Sequence, residues 1–132
     1  MSDFAPFDRQ SYVKLISPIP SNVSKLFPPA QLEHTLRYFG AYAEAIDRLY
    51  ALVPTIPRLG ESAFLRTPPI CLHYFNGFAD YFIQEYDGEN TMYGLLRFSG
   101  FHDKSEYRRF SLSELKNIQS IKLDLSWVPQ SR

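Results

Sequence analysis

Cysteine is almost missing from this chain of 132 residues, and Cys71 alone cannot close an internal disulfide. A small secreted domain stapled by cross-links is thereby excluded, and a reducing compartment is expected. Surplus charge is missing as well: 14 basic residues stand against 14 acidic ones, so no global field draws the molecule toward nucleic acid or an anionic membrane. No segment approaches the run of about 18 apolar residues that a membrane span needs. The opening Met1-Ser2-Asp3-Phe4-Ala5-Pro6 has neither the basic start nor the unbroken apolar stretch of a leader. A cytosolic protein with no membrane partner is the expectation. Glycine is sparse and scattered, with Gly77, Gly88, Gly94 and Gly100 standing singly, so no phosphate-cradling loop is present. His34, His73 and His102 fall on three different elements without ligand spacing, and no GxSxG elbow occurs. Neither a metal nor a cofactor is expected, and no catalytic residue is assigned.

What the chain has in quantity is aromatic side chains, nine Tyr and eleven Phe, suited to half-buried strands and to surfaces that are apolar at one end and wet at the other. They concentrate between Ile70 and Ser99. Asn76-Gly77 separates Cys71-Leu72-His73-Tyr74-Phe75 from Phe78-Ala79-Asp80-Tyr81-Phe82-Ile83. Because both turn residues tolerate positive φ, this predicts a hairpin closed by a type I′ turn. A second reversal at Asp87-Gly88-Glu89-Asn90 leads into a third strand, Thr91 to Phe98. Cys71 is expected to be a small core residue of its strand.

In chain order, residues 1–28 carry four prolines and form an arm draped over the body, with Tyr12, Val13, Leu15, Ile16 and Phe27 as the residues that would pack. Residues 29–53 place Leu32, Leu36, Phe39, Ala43, Ile46, Tyr50 and Val53 in alternating steps of four and three. One apolar stripe at the helical period follows, predicting a single long helix that starts at Pro28-Pro29 and stops before Pro54. Gly40 inside it implies either a close approach by another element or a bend. The loop from Pro54 to Pro69 projects Arg58 and Arg66 beside Leu59, Phe64 and Leu65, a candidate contact segment.

Residues 68–129 then form a β-meander with a short helix. Glu106 to Phe110 is expected as a fourth strand, and Ser111-Leu112-Ser113-Glu114 is a capping box at the start of the short helix. Ile121, Leu123, Leu125 and Trp127 alternate with polar residues and predict a last strand. The fold class is α+β in one domain: an antiparallel sheet of about five strands, one long helix packed on a face, and a short capped helix near the C-terminus.

The C-terminal half resembles the small bacterial family called domain-of-unknown-function family 2958. The likeness rests on the aromatic strand Tyr81 to Asp87, on Tyr93-Gly94-Leu95, on Phe110-Ser111-Leu112-Ser113-Glu114-Leu115, and on Asp124-Leu125-Ser126-Trp127-Val128-Pro129. Tyr107-Arg108-Arg109 departs from the acidic-Leu-Gly run that the family tends to show. The resemblance implies an accessory protein of plasmids, phages or integrative elements acting inside a bacterium, and it brings no activity, cofactor or catalytic residue.

Two charged groupings remain. Glu85, Asp87 and Glu89 crowd the second reversal, where an exposed acidic turn is expected and a cation or proton-transfer site is the alternative. Lys104, Arg108 and Arg109 flank Tyr107, and in strand geometry the two arginines face opposite ways. The leading expectation is a non-enzymatic interaction protein, a mobile-element accessory or anti-defence factor that binds and masks a host protein through Lys104, Tyr107, Arg108, Arg109, Glu85 and Asp87. A nucleic-acid-associated accessory protein using the basic group is the second reading. A small enzyme using Glu85 or Asp87 is the third.

Overall fold

A computed structural model of the chain describes residues 18–99 and 101–131, with the backbone alone at 101–103 and 131. Among the described residues, four α-helices precede, cover and interrupt an antiparallel sheet. The first, α1 (Ser21–Ser24), lies in the proline-rich arm, where Ile19, Val23, Leu26 and Phe27 are all buried. Residues 18–28 are therefore part of the core, and the Leu26 carbonyl accepts the hydroxyl of the fully buried Tyr74 at 2.6 Å. Tyr12, Val13, Leu15 and Ile16 lie outside the described residues.

The segment 29–53 is two helices and not one: α2 (Pro29–Arg37) and α3 (Phe39–Leu52), the latter running into a 3-10 turn, Val53–Thr55, that holds Pro54. Pro28 enters α2 in extended geometry, and Pro29 occupies its first turn, where a missing N–H leaves nothing unbonded. The break falls at Tyr38, with φ −116° and ψ 41°, two residues before the glycine. A Cβ at Gly40 would meet nothing within 4 Å, so no other element approaches closely there. Resetting the phase at Tyr38 also moves the buried stripe of α3 onto Ile46, Leu49 and Val53, and Tyr50 is exposed.

Five strands form the main sheet in the order β5-β4-β3-β2-β6: β2 (Leu72–Phe75), β3 (Ala79–Tyr86), β4 (Thr91–Phe98), β5 (Phe101–Ser111) and β6 (Lys122–Leu123). A second, two-stranded ladder joins β1 (Pro69–Ile70) to β7 (Gln130–Ser131). The hairpin is where the sequence places it, but its two loop residues are Gly77 and Phe78. Phe75 pairs with Asp80, the Asn76 N–H donates to the Ala79 carbonyl at 3.3 Å, and Gly77 alone has positive φ, at 89°. Glycine at the first central position is the type II′ pattern. Asn76 serves instead as an acceptor, its Oδ1 taking the N–H groups of Phe78 and Ala79 at 2.9 and 3.0 Å.

One face of the sheet lies under the helices, with Leu72, Tyr74, Ile83, Tyr86, Met92 and Leu96 in a core shared with Ile46, Leu49 and Val53. On the opposite face Ile70, Phe82 and Leu95 form a smaller cluster closed by Trp127. The short helix α4 (Leu112–Leu115) is capped as expected, the Ser111 Oγ accepting from the Glu114 N–H at 3.3 Å. Asn90 completes the cap from the neighbouring turn: its carbonyl and Oδ1 accept from the Leu112 and Ser113 N–H groups. The strand expected over 121–127 shrinks to β6. After Leu123 the chain turns, with Asp124 Oδ1 accepting from the Ser126 N–H at 3.0 Å.

Candidate functional site

The six site residues read from the sequence separate into distinct places, and three of them converge. Glu85, Tyr107 and Arg109 line one cleft of about 410 Å³ on the sheet face away from the helices, together with Tyr93, Leu65 and Pro68. Strand register explains the convergence. Tyr93 pairs with Glu85 on one side and with Arg109 on the other, and Leu95 pairs with Tyr107. Residues directly opposed across antiparallel strands share a face.

Glu85 reaches this face because of a bulge. The register of β3 against β4 shifts between Ile83 and Glu85, leaving Gln84 as the extra residue. In an unbroken strand Ile83 and Glu85 would share the apolar core; the bulge sends Glu85 to the opposite side and returns Tyr86 to the core, where it is fully buried. The Phe82 carbonyl lies where a side chain at Gly94 would begin, so this approach of the two backbones depends on a glycine.

Contrary to the exposed acidic turn expected, Glu85 is buried, at 5 % exposure. Its Oε1 accepts from the Gly60 N–H at 2.8 Å, and its Oε2 accepts from the Ser62 N–H at 3.1 Å and from the Ser62 hydroxyl. Both carboxylate oxygens thus anchor the 3-10 turn Glu61–Phe64. That anchorage fixes the contact loop in an open position, with Phe64 92 % and Leu65 46 % exposed. Arg58 serves the loop as a strut, its guanidinium donating to the Tyr86 carbonyl at 3.2 Å.

Tyr107 stacks on Tyr93, ring centroids 6.1 Å apart and 18° from parallel. Arg109 has no ion-pair partner among the described residues. Arg108 points to the other face, as alternation requires, with its guanidinium 5.7 Å from the Phe110 ring centre and 3.7 Å from Glu106. Lys104 sits at the far end of β5, beside the hairpin tip. There it lines a second, shallow apolar cavity of about 530 Å³ with Gly77, Phe78, Phe98 and Ser99. Asp87 is half-buried in the second reversal, where its Oδ1 accepts from the N–H groups of Glu89, Asn90 and Thr91 at 2.8, 3.0 and 3.0 Å. Burial works to raise its carboxyl, but the N–H groups together outweigh that and hold it below the usual carboxylate range. A group so held is an ionised turn anchor and a poor proton donor at neutral pH.

One cluster has no signature in the sequence. His73, on the face away from the helices, is bracketed by two carboxylates: Nδ1 lies 2.9 Å from Asp124 Oδ2 and Nε2 lies 2.8 Å from Asp80 Oδ1. Arg97 reaches Asp80 at 3.9 Å and covers the Phe82 ring at 5.1 Å. The imidazole stacks on Phe82 at 4.9 Å and meets Trp127 at 5.0 Å. Each ring nitrogen has a carboxylate oxygen within hydrogen-bond distance, so the imidazole ties the C-terminal segment to the sheet. The carboxylates sit on opposite sides of the ring and cannot share a cation with it. Among the described residues no three His, Cys, Asp or Glu side chains are arranged to hold a metal ion. Cys71 is in the helix-side core, and burial pushes its thiol up to about 11. Also among the described residues, no helix is long and apolar enough to cross a membrane.

No protein-family model matches this chain, and neither a curated protein nor a solved structure matches it.

Proposed function

We propose that the chain is a non-enzymatic interaction protein whose contact surface is the open face of β3, β4 and β5 with the loop that Glu85 anchors. The observation that carries this reading is the cleft itself. Tyr93, Tyr107 and Arg109 converge there beside Leu65, and Phe64 stands 92 % exposed on the same loop. Aromatic rings and arginine are the groups most enriched among residues that dominate binding energy at protein interfaces. A phenylalanine presented to water on an anchored loop has no role in the fold that holds it there. Phe78, Phe98 and Lys104 at the hairpin tip form a second apolar contact. The mechanism is steric masking, a rigid sheet face laid over a surface that a host protein needs free. The resemblance to a family carried by mobile elements supports an accessory or anti-defence role in a bacterial cytoplasm.

Affinity capture from a bacterial host, with wild type compared against Phe64→Ser and Arg109→Glu, tests this. A stoichiometric protein retained by wild type through nuclease and high salt, and lost from both variants, is the expected result. Retention that disappears with nuclease or falls steeply with salt overturns it in favour of nucleic acid, because phosphate contacts release counterions.

A further inference from the structure

We propose that the groove between α2, α3 and the turn after α4 is a binding site for a small organic phosphate, a phosphate monoester carried on an apolar body. The cavity measures about 530 Å³, the size of an ordinary small-molecule site. Tyr42 and Ile121 in its wall belong to the helix-side core, so it is separate from the cleft on the open face and stands whether or not a host protein binds there. Its lining holds Lys116, Lys122 and His34 and, among the described residues, no carboxylate. In a chain of zero net charge this local excess is not a by-product of composition.

The walls are preformed. Gln31 ties α2 to β6 in both directions, its Nε2 donating to the Leu123 carbonyl at 2.8 Å and its Oε1 accepting from the Leu123 N–H at 2.7 Å. Lys116 is held as well. Its ammonium donates to the Lys25 carbonyl at 2.8 Å, and an ammonium has further N–H donors to offer a ligand. Lys122 is exposed, and its ammonium meets no partner among the described residues. Two ammonium groups with no counter-carboxylate suit the nearly doubly charged head of a phosphate monoester better than a single carboxylate. Beside them the buried Ile121 and the half-buried Ile118 and Leu125 give an apolar wall for the body of the ligand. The Tyr42 hydroxyl, 3.0 Å from His34 Nε2, gives a polar edge. The turn that delivers Ile121 and Lys122 to the cavity passes through Ser120 at φ 64°, the one non-glycine residue with positive φ among those described. Strained backbone of this kind clusters at ligand sites.

Titration of the isotopically labelled full chain, followed by backbone amide shifts, tests it with three probes: phenyl phosphate, inorganic phosphate as the head alone, and benzoate as an apolar body with a single charge. Phenyl phosphate should give saturable shifts at Gln31, His34, Ser120 and Lys122, with a dissociation constant about tenfold or more below that of either other probe. Lys122→Glu, at an exposed position, should fold as wild type by far-UV circular dichroism and weaken phenyl phosphate about tenfold or more. Lys122→Gln, which removes only the charge, should weaken it in the same direction. Arg109→Glu, in the cleft of the open face, should leave it unchanged. The absence of saturable shifts, shifts centred on Arg109 and Tyr107, inorganic phosphate or benzoate binding as tightly as phenyl phosphate, or binding indifferent to both Lys122 variants overturns the proposal.

Discussion

Replacing Gly94 by alanine puts a methyl group where the Phe82 carbonyl oxygen already lies, with the Phe82 carbonyl carbon 2.9 Å and the Ile83 Cα 3.0 Å away. Each of these neighbours is backbone of β3 in mid-sheet, so no flexible side chain can swing aside; the strand itself must shift. Overpacking of a well-filled site costs about 1–3 kcal/mol, and a backbone clash belongs at or above the upper end of that range. Set against a total stability of about 5–15 kcal/mol for a domain, the loss is large. It corresponds to a fall in Tm of about 10 °C for a chain of this size. The shift is also directional: it pushes on the bulge that turns Glu85 away from the core, so the Gly60 and Ser62 amides should lose their acceptor. Urea unfolding gives the stability, and amide chemical shifts of those two residues give the location. Gly40→Ala is the control, because its methyl enters open space on an exposed helical position and should be neutral or slightly stabilising. A Gly94→Ala protein within about 0.5 kcal/mol of wild type, well below that expected cost, with those amides unmoved, would refute the argument that the glycine exists to admit the bulge.

Glu85→Ala removes the acceptor of three donors, two of them backbone N–H groups, and should lower stability by about 2 kcal/mol or more. Trypsin should then cut faster at Arg58 and Arg66, and an unchanged cleavage rate would show that something other than Glu85 holds the loop. Asp87→Ala frees the Glu89, Asn90 and Thr91 amides of the second reversal and should reduce Tm at neutral pH. Because the folded carboxyl is held low, its contribution is complete above the ordinary carboxylate range near pH 4 and is lost as pH falls through the lowered value. The variant should therefore lose less stability than wild type on acidification, and parallel acid limbs would count against the assignment. Cys71, 4 % exposed and with its thiol pushed up to about 11, should react with a thiol reagent only on unfolding. Labelling of the native protein at the rate of a free thiol would place it elsewhere.

The parts of the fold that could be read from the sequence are those set by neighbours in the chain. Asn76-Gly77 announced a reversal, Asp87-Gly88-Glu89-Asn90 another, and the Ser111 to Glu114 spacing gave the cap of α4, all of them local chemistry. The turn type was misread because Asn76 accepts two N–H groups through its side chain, which moves the loop one residue on. The helix break at Tyr38 coincides with no proline or glycine, so periodicity alone ran α2 and α3 together. Residues 121–127 alternate like a strand, yet β2 offers pairing to only two of them, and alternation cannot report how long its partner is. Of the site residues, Tyr107 and Arg109 were legible as a shared face by period. Glu85 was not, because its side is decided by a bulge that depends on a glycine nine residues later.

His73 shows the same limit in a sharper form. Its partners, Asp80 and Asp124, lie 7 and 51 residues away, and no spacing rule connects them. Yet the Asp124 to Pro129 block, which as sequence marks only a strand leading to a proline, is organised by that contact. Asp124 Oδ2 meets the imidazole while its Oδ1 bends the chain at Ser126, and Trp127 then closes over Phe82 and donates its indole N–H to the Ile70 carbonyl at 2.9 Å. The segment is a latch built from one carboxylate and one indole, and β1 with β7 is the ladder it secures. Glu85 performs the matching task on the other side of the same face, holding the loop that carries Phe64. Two buried or half-buried acidic side chains thus fix the two flanks of the open β3–β4–β5 surface, and they do so with hydrogen bonds at their carboxylate oxygens. That leaves the aromatic side chains between and beside them free to face outward.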